Sequence, residues 1–423
     1  MASADMMSGV LLAVPVVILA CRASAAMIRR LGQPAVVGEI VVGILFGPSL
    51  LGWLSPGAQH WLFPNTIAPF VDVLGQLGLI SFMFLVGLEL DLGSLQGNGR
   101  VALVVSQVSI AFPMVLGGLL ALAMYRRFAP TGVSTTSFVL FIAVSMSITA
   151  FPVLARILTE RGMYGTPTGT LAMACAAIDD VTAWCLLALV VAIAGSTGPM
   201  GAIAVVGLTA AFAAVMLWGV RPLLTRWAGR AARATEQTVM VLLFSGLCAS
   251  ALVTDRIGVH AMFGAFLFGV VTPRRTAVVE RSANRLRAVA VPLLLPLFFV
   301  QTGLRTDFGA LSAQSGQWPW AGAVIAVAVV SKGGVSAVAS RAAGSRWRDA
   351  LMLGSMMNCR GLTELVVLNI GLELGVIGPS LFTILVLMAL LTTAATGPAL
   401  KWLSHRVDAA RPRRSRRVES RLD

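Results

Sequence analysis

Apolar residues run along this chain in long blocks, interrupted by short polar connections, rather than in the alternating patterns of a soluble core. Crossing a hydrocarbon layer about 30 Å thick takes roughly 20 apolar residues as a helix. On that criterion the sequence predicts about thirteen spanning helices, at 6 to 28, 34 to 53, 67 to 90, 101 to 125, 134 to 158, 167 to 195, 200 to 219, 236 to 253, 257 to 272, 288 to 304, 318 to 341, 349 to 371 and 376 to 402. The fold expected is an all-α polytopic membrane protein.

The polar connections are unevenly charged, and Lys and Arg collect in cytoplasmic loops. Every second connection carries them: Arg29-Arg30, Arg100, Arg156 with Arg161, Arg221 through Arg233, Arg274 through Arg287, and Arg341, Arg346 and Arg348. The intervening ones are nearly bare. Residues 53 to 65 hold no Lys or Arg, 195 to 201 no charge, and 372 to 380 only Glu373. Arg126-Arg127, on the outer side, is the exception. The alternation predicts an amino terminus outside and a cytoplasmic tail, Lys401 to Asp423, that includes Arg411 through Arg417. The half made of segments one to six then begins outside, the half made of eight to thirteen begins inside, and segment seven joins them. Such inverted-topology repeats of six helices are a common plan for secondary transporters, whose site forms at mid-membrane where corresponding helices are broken.

Composition agrees with lipid as the solvent. Of 423 residues 57% are hydrophobic and 12% charged, and the mean hydropathy is +0.87. The formal charge of +14 fits loop orientation better than nucleic-acid binding, because the basic residues are nearly all arginines between apolar stretches, with no aromatic-interleaved basic face. No nucleic acid is expected as a partner. Cys21, Cys175, Cys185, Cys248 and Cys359 lie in or beside apolar stretches without paired spacing, which argues for packing rather than a disulfide or zinc framework. The first segment follows Asp5 and no basic residue, so it reads as retained rather than as a cleaved signal.

Two segments are interrupted at matching places. Segment five contains Ser145-Met146-Ser147-Ile148-Thr149-Ala150-Phe151-Pro152, where proline removes a backbone donor and hydroxyls can satisfy freed carbonyls. Segment twelve contains Asn358-Cys359-Arg360-Gly361-Leu362-Thr363-Glu364. Kinks of this kind also serve packing alone, but their pairing across the two halves favours a binding site.

A charge at the bilayer centre costs about 2.5–3.5 kcal/mol on insertion scales, so each one requires a reason. Asp179 and Asp180 lie near the middle of segment six, and Lys332 lies about fourteen residues into segment eleven. Neighbours on a helix point about 100° apart, so one carboxylate can face an ion cavity while the other meets Lys332. Burial and a second carboxylate favour a protonated acid, and an ammonium favours an ionised one. A group balanced between them holds a proton or a small hard cation but not both, as exchange requires. Thr149, Ser147 and carbonyls at the break are candidates to complete the oxygen shell. The bland alternative, a structural Asp/Lys pair, leaves the second acid unexplained. Arg360 and Glu364, four apart, read as an internal ion pair. Glu39, Glu89, Asp91 and Asp255 lie nearer segment ends, and His260 reads as packing.

These residues resemble the monovalent cation:proton antiporter superfamily, on its cation:proton antiporter-2 branch with bacterial Kef-type and NapA-type antiporters and plant cation/proton exchangers. The resemblance runs from about Leu31 to Pro398. It rests on Gly32-Gln33-Pro34, Gly38-Glu39-Ile40, Gly47-Pro48-Ser49, Phe84 through Glu89, Ser147 through Arg156, Asp179-Asp180, Gly258 and His260 with Phe263 through Phe266, Pro296 through Phe299, Lys332, and Arg360 through Leu365.

The resemblance implies two crossing discontinuous helices, segments 5 and 12, and a core that moves against a dimerisation domain in an elevator-like cycle. Residues 1–100 would begin the dimerisation domain, 101–195 supply the first half of the core, and 196–235 form a linker helix and loop. Residues 236–317 would complete the dimerisation domain and 318–402 the core, leaving 403–423 as a basic tail. It also implies Asp180 as ion and proton carrier, Asp179 as partner of Lys332, and an electrogenic cycle. The Kef-type cytoplasmic nucleotide-binding domain is absent from this sequence, and Cys359 replaces a common threonine.

The function expected is exchange of Na+ or K+ for protons across the cytoplasmic membrane. The protein is expected to be a homodimer in lipid, with no cofactor and no enzymatic chemistry, since no nucleophile-and-base set accompanies the acids. A cation channel or ligand-gated efflux pathway, and a non-transporting sensor on the same scaffold, remain as alternatives.

Overall fold

A computed structural model describes residues 2–30, 35–64, 66–89, 99–163, 166–195, 199–231, 235–274, 276–311 and 316–408. The motif Gly32-Gln33-Pro34, Asp91 and the arginines from Arg411 through Arg417 lie outside the described residues. Within them every regular element is helical.

The chain begins with α1 (Ala2–Arg30) and α2 (Ala35–Phe46), followed by two short helices, α3 (Leu51–Leu54) and α4 (Pro56–Leu62). Two long helices follow, α5 (Ala68–Glu89) and α6 (Gly99–Phe128). Then α7 (Thr135–Ser147) stops, three residues pass, and α8 (Phe151–Glu160) resumes before α9 (Pro167–Gly195). A π-helical stretch, Val215–Val220, links α10 (Pro199–Ala214) to α11 (Arg221–Ala231). Next come α12 (Glu236–Ile257), α13 (Ala261–Val271) and α14 (Ala277–Val289), with the last running through a π stretch, Ala290–Leu294, into α15 (Leu295–Leu304). Likewise α16 (Trp318–Ala328) runs through Val329–Gly334 into α17 (Val335–Ala342). The end of the chain is α18 (Trp347–Met357), α19 (Leu362–Glu373) and α20 (Pro379–Asp408).

Ten of the helical spans are long and apolar enough to cross a membrane, and α7 and α13 are shorter apolar helices. The apolar exterior fits that setting. On α10 and its continuation Met200, Ile203, Leu208, Val215 and Leu223 are exposed, and the exposed tryptophans Trp53, Trp61, Trp218, Trp318, Trp347 and Trp402 stand near helix ends. Tryptophan prefers the membrane–water boundary for its apolar ring and polar N–H.

Packing divides the helices into two groups. In the first, α5 packs on α13 and α15, α2 on α1 and α15, and α12 on α13 and α14. In the second, α6 packs on α7, α9 and α17, α18 on α17, α9 and α20, and α16 on α20. Small residues allow the close approaches that hold membrane helices together by van der Waals contact. A Cβ on Gly43 of α2 would lie 2.6 Å from the Val300 carbonyl oxygen and 2.9 Å from the Gly303 Cα of α15, so these backbones are in direct contact.

Helix bounds differ from the apolar blocks in places with identifiable causes. The second block, predicted to 53, ends its main helix at Phe46 ahead of Gly47-Pro48. Helices predicted to end near 219 and to begin at 288 run on through Arg221–Ala231 and start at Ala277, because those extensions are amphipathic and polar on one side.

Overpacking a tight core costs about 1–3 kcal/mol. Gly43→Val is therefore expected to lower the melting temperature of the detergent-solubilised protein, whereas Gly57→Ala, with nothing within 4 Å of the new methyl, leaves it unchanged. Equal melting of the two variants would mean that α2 and α15 separate without penalty.

Candidate functional site

The site begins where two helices stop. Helix α7 ends at Ser147, and Ile148 is extended at φ −73°, ψ 138°. Pro152 is the second residue of α8, in the first turn, where a missing N–H removes no helical bond. The proline therefore starts the second piece instead of kinking a continuous one. On the other side, α18 ends at Met357 and α19 starts after Gly361, whose φ of 148° is a conformation other residues rarely adopt. A Cβ there would also sit 3.0 Å from Val153 Cγ2.

The two interruptions lie against each other and satisfy each other's backbone. The Ala150 amide donates to the Cys359 carbonyl at 3.0 Å, and the Thr149 hydroxyl reaches the Met357 carbonyl at 3.4 Å. The last carbonyls of a helix lack internal partners and carry its negative dipole end. In α7 they meet cations. Arg360 donates to the Ser145 carbonyl at 3.2 Å and to the Met146 carbonyl, and Lys332 donates to the Ser147 carbonyl.

Lys332 lies in the π-helical stretch Val329–Gly334 and is fully buried. Its three N–H donors are all engaged: the Ser147 carbonyl, the Ser109 carbonyl at 3.2 Å and Asp179 Oδ2 at 3.3 Å. Asp179 is equally committed. Ser106 donates to its Oδ1 at 2.5 Å, while Ser109 and Thr149 donate to its Oδ2 at 2.9 and 2.8 Å. Arg360 and Glu364 form a second buried pair at 3.1 Å, and the Ser145 hydroxyl donates to the other Glu364 oxygen at 2.6 Å.

Asp180 is different. It is 1% exposed, yet neither carboxylate oxygen has a hydrogen-bond partner of acceptable geometry among the described residues. The backbone amide of Phe151, at the amino end of α8, is the polar group beside it, and a helix amino terminus favours negative charge. Among the residues whose burial is described, the buried charges are three acids (Asp179, Asp180, Glu364) against two bases (Lys332, Arg360). One negative charge lacks a protein counter-charge, and the carboxylate with vacant lone pairs is Asp180.

The remaining expected residues divide. Thr149 serves Asp179, and the Ser147 hydroxyl turns back to the Val144 carbonyl at 2.7 Å, so neither side chain is directed to Asp180. Asn358 Oδ1 is buried without a partner. His260 is more than packing: it caps α13, accepting from the Met262 amide at 3.5 Å. Cys185 is exposed, while Cys21, Cys175 and Cys359 are buried. No group of three or more His, Cys, Asp or Glu able to hold a metal ion occurs among the described residues.

Sequence reasoning missed Ser106 and Ser109, and named Ser145 only as part of the interrupted segment, without its bond to Glu364. The first two are three apart and share a helix face, a polar pair in an otherwise apolar span, which was the available signal. Hydrogen bonds to charged groups contribute about 1.5–3 kcal/mol, so Ser106→Ala is expected to melt below the parent in detergent. Ser336→Ala, which removes a buried hydroxyl that has no partner, should melt like the parent. Indistinguishable melting of all three proteins would remove Ser106 from the cluster.

Comparisons with known proteins bear on this arrangement. Residues 16–406 match the family described as "Sodium/hydrogen exchanger, transmembrane". The chain is 40% identical over 377 residues to the Na(+)/H(+) antiporter NhaS4 of Synechocystis, covering 88% of this chain and 91% of that protein. It is 32% identical to the K(+)/H(+) antiporter 1 of Saccharomyces cerevisiae over 90% of its own length, but spans only 45% of that longer protein. A solved structure of the sodium proton antiporter MjNhaP1 from Methanocaldococcus jannaschii superimposes with a TM-score of 0.70 over 96% of this chain and 99% of that one. At 12% identity that likeness concerns the fold alone.

Proposed function

The chain belongs to the sodium/hydrogen exchanger family, a multi-pass membrane transporter of monovalent cations and protons and not an enzyme, and we propose that Asp180 is where the two ions alternate. The observation that carries this reading is the contrast within the acid pair. Asp179 has three hydroxyl donors and an ammonium, whereas both oxygens of the equally buried Asp180 are without hydrogen-bond partners among the described residues. A buried ionised carboxylate left alone is costly. A proton or an alkali cation, binding through hard oxygen ligands, removes that cost, and one carboxylate does not hold both.

In this reading the chain crosses the membrane thirteen times as two inverted halves of six helices about segment seven. The interrupted pairs α7/α8 and α18/α19 are the crossing discontinuous helices. The second packing group is the moving core and the first the dimerisation domain of a homodimer, and elevator-like displacement of the core carries Asp180 from one side to the other. The amino terminus is outside, the carboxyl terminus is cytoplasmic, and the membrane is the inner or plasma membrane. Na+ and K+ are both retained as substrates, since the relatives are named for one or the other. In this reading more than one proton moves against each cation, the additional one being held by the Asp179–Lys332 pair beside Asp180, so the cycle carries net charge and is electrogenic.

In everted vesicles, addition of Na+ or K+ is expected to move protons, and Asp180→Asn to abolish that movement. Exchange that persists undiminished in this variant would exclude Asp180 as the carrier. An imposed voltage should change the rate in proteoliposomes; a voltage-independent rate contradicts electrogenic exchange.

A further inference from the structure

At the end of the molecule opposite the α14 amino terminus, a small cleft is lined by Asp72 and Gln76 of α5, Thr302 of α15, Arg305 just after it, and Asn369 and Glu373 of α19. It therefore lies between the two packing groups. Arg305 is the C-cap of α15, so its backbone belongs to the first group. Its guanidinium donates to Glu373 Oε1 at 2.9 Å and to Asn369 Oδ1 at 3.0 Å, both on α19, which packs on α20 and α7 of the second group. Asp72, from its own group, stands 3.9 Å away. The Asn369 amide donates in turn to the Thr302 hydroxyl at 2.8 Å, and a further link at this end runs from the Asp307 amide to the Thr383 hydroxyl at 3.3 Å.

Helix α19 connects this cleft to the ion site. It begins at the interruption containing Arg360 and Gly361, carries Glu364 in its first turn and ends at Glu373. A displacement of the core that exposes the outer side of Asp180 has to carry α19 past α15, and that movement separates Arg305 from Asn369 and Glu373. The contacts are directional and discrete, unlike apolar packing, so they hold one arrangement rather than a range of them.

We propose that Arg305 is an outer latch: its bonds to Glu373 and Asn369 hold the end of α19 against α15 and keep the ion pathway closed on the extracytoplasmic side. Other charged groups share its surroundings. His260, at the start of α13, lies 4.0 Å from Glu373, with Asp255 at the end of α12 acting on it. Asp72 holds the guanidinium on the first-group side after the latch parts, so Arg305 returns to the same place when the core comes back. The proposal rests on the alternating-access reading and the orientation given above.

The test uses a thiol at Thr302, which is 1% exposed and lies under the latch. Thr302→Cys, in right-side-out vesicles, is treated with a membrane-impermeant maleimide, with the parent chain as background for its five native cysteines. Labelling is expected to be slow, and Arg305→Gln to accelerate it about tenfold, the scale of one charge-assisted hydrogen bond lost in a partly exposed setting. Glu373→Gln should do the same independently, so the test survives if one variant folds poorly. The two together should not exceed Arg305→Gln alone, because that substitution already breaks the contact with Glu373. Labelling unaffected by either substitution, or fully additive effects, would overturn the latch. Acceleration only in everted vesicles would place the cleft on the cytoplasmic side and overturn it equally. Because labelling reads opening and not transport, it remains interpretable if the exchange assay fails.

Discussion

Everything near the middle of this protein follows from the cost of ionised groups far from water. Five charged side chains, Asp179, Asp180, Lys332, Arg360 and Glu364, are buried together, and four of them are compensated. Lys332 spends one donor on Asp179 and two on carbonyls. Arg360 divides its donors between Glu364 and the last carbonyls of α7. Two cations at one helix terminus would repel each other in isolation. Here the dipole end of α7 and one carboxylate apiece offset that repulsion, so both side chains are held at that terminus.

The interrupted helices are the same constraint seen in the backbone. Stopping a helix inside a membrane strands carbonyls at one end and amides at the other. The two breaks meet so that each supplies what the other lacks: the Ala150 amide pairs with the Cys359 carbonyl, Arg360 of one break covers the α7 carbonyls of the other, and Thr393 of α20 donates to the Arg360 carbonyl at 2.7 Å. The amino end of α8 lies beside Asp180. An anion there is favoured by the dipole but not neutralised by it.

Much of this was legible in the sequence. Apolar blocks locate helices because lipid demands length and hydrophobicity and little else, and intramembrane charges announce themselves by their expense. The acid pair, Lys332, and the Arg360–Glu364 pair were found that way. The serines were not, because Ser is common in membrane helices and only the three-dimensional neighbourhood shows that Ser106 and Ser109 both serve Asp179. The π-helical stretch at Lys332 was equally hidden, since it is a small change in hydrogen-bond register that many sequences adopt. His260 was misjudged in kind: a lone histidine between apolar residues turned out to be a helix cap beside Glu373. The link from Arg305 to α19 spans 68 residues, a pairing that no local pattern encodes.

The interface between the packing groups combines two kinds of contact with different mechanical consequences. Near the acid pair, Trp184 of α9 meets Phe263 edge-on at 5.7 Å and Phe266 at 6.3 Å, one turn beyond Asp180 on the same helix. Dispersion contacts of this sort are numerous, weak and nearly non-directional, so a core sliding along them exchanges one set for another at little net cost. At the Arg305 end the contacts are few and directional. A movable core needs both: an apolar track that sets no preferred position, and a polar stop that does. Placing the stop at the far end of α19, away from Asp180, keeps its hydrogen bonds out of the ion's shell. Under the proposed movement of the core, its position can be tuned without changing the surroundings of Asp180.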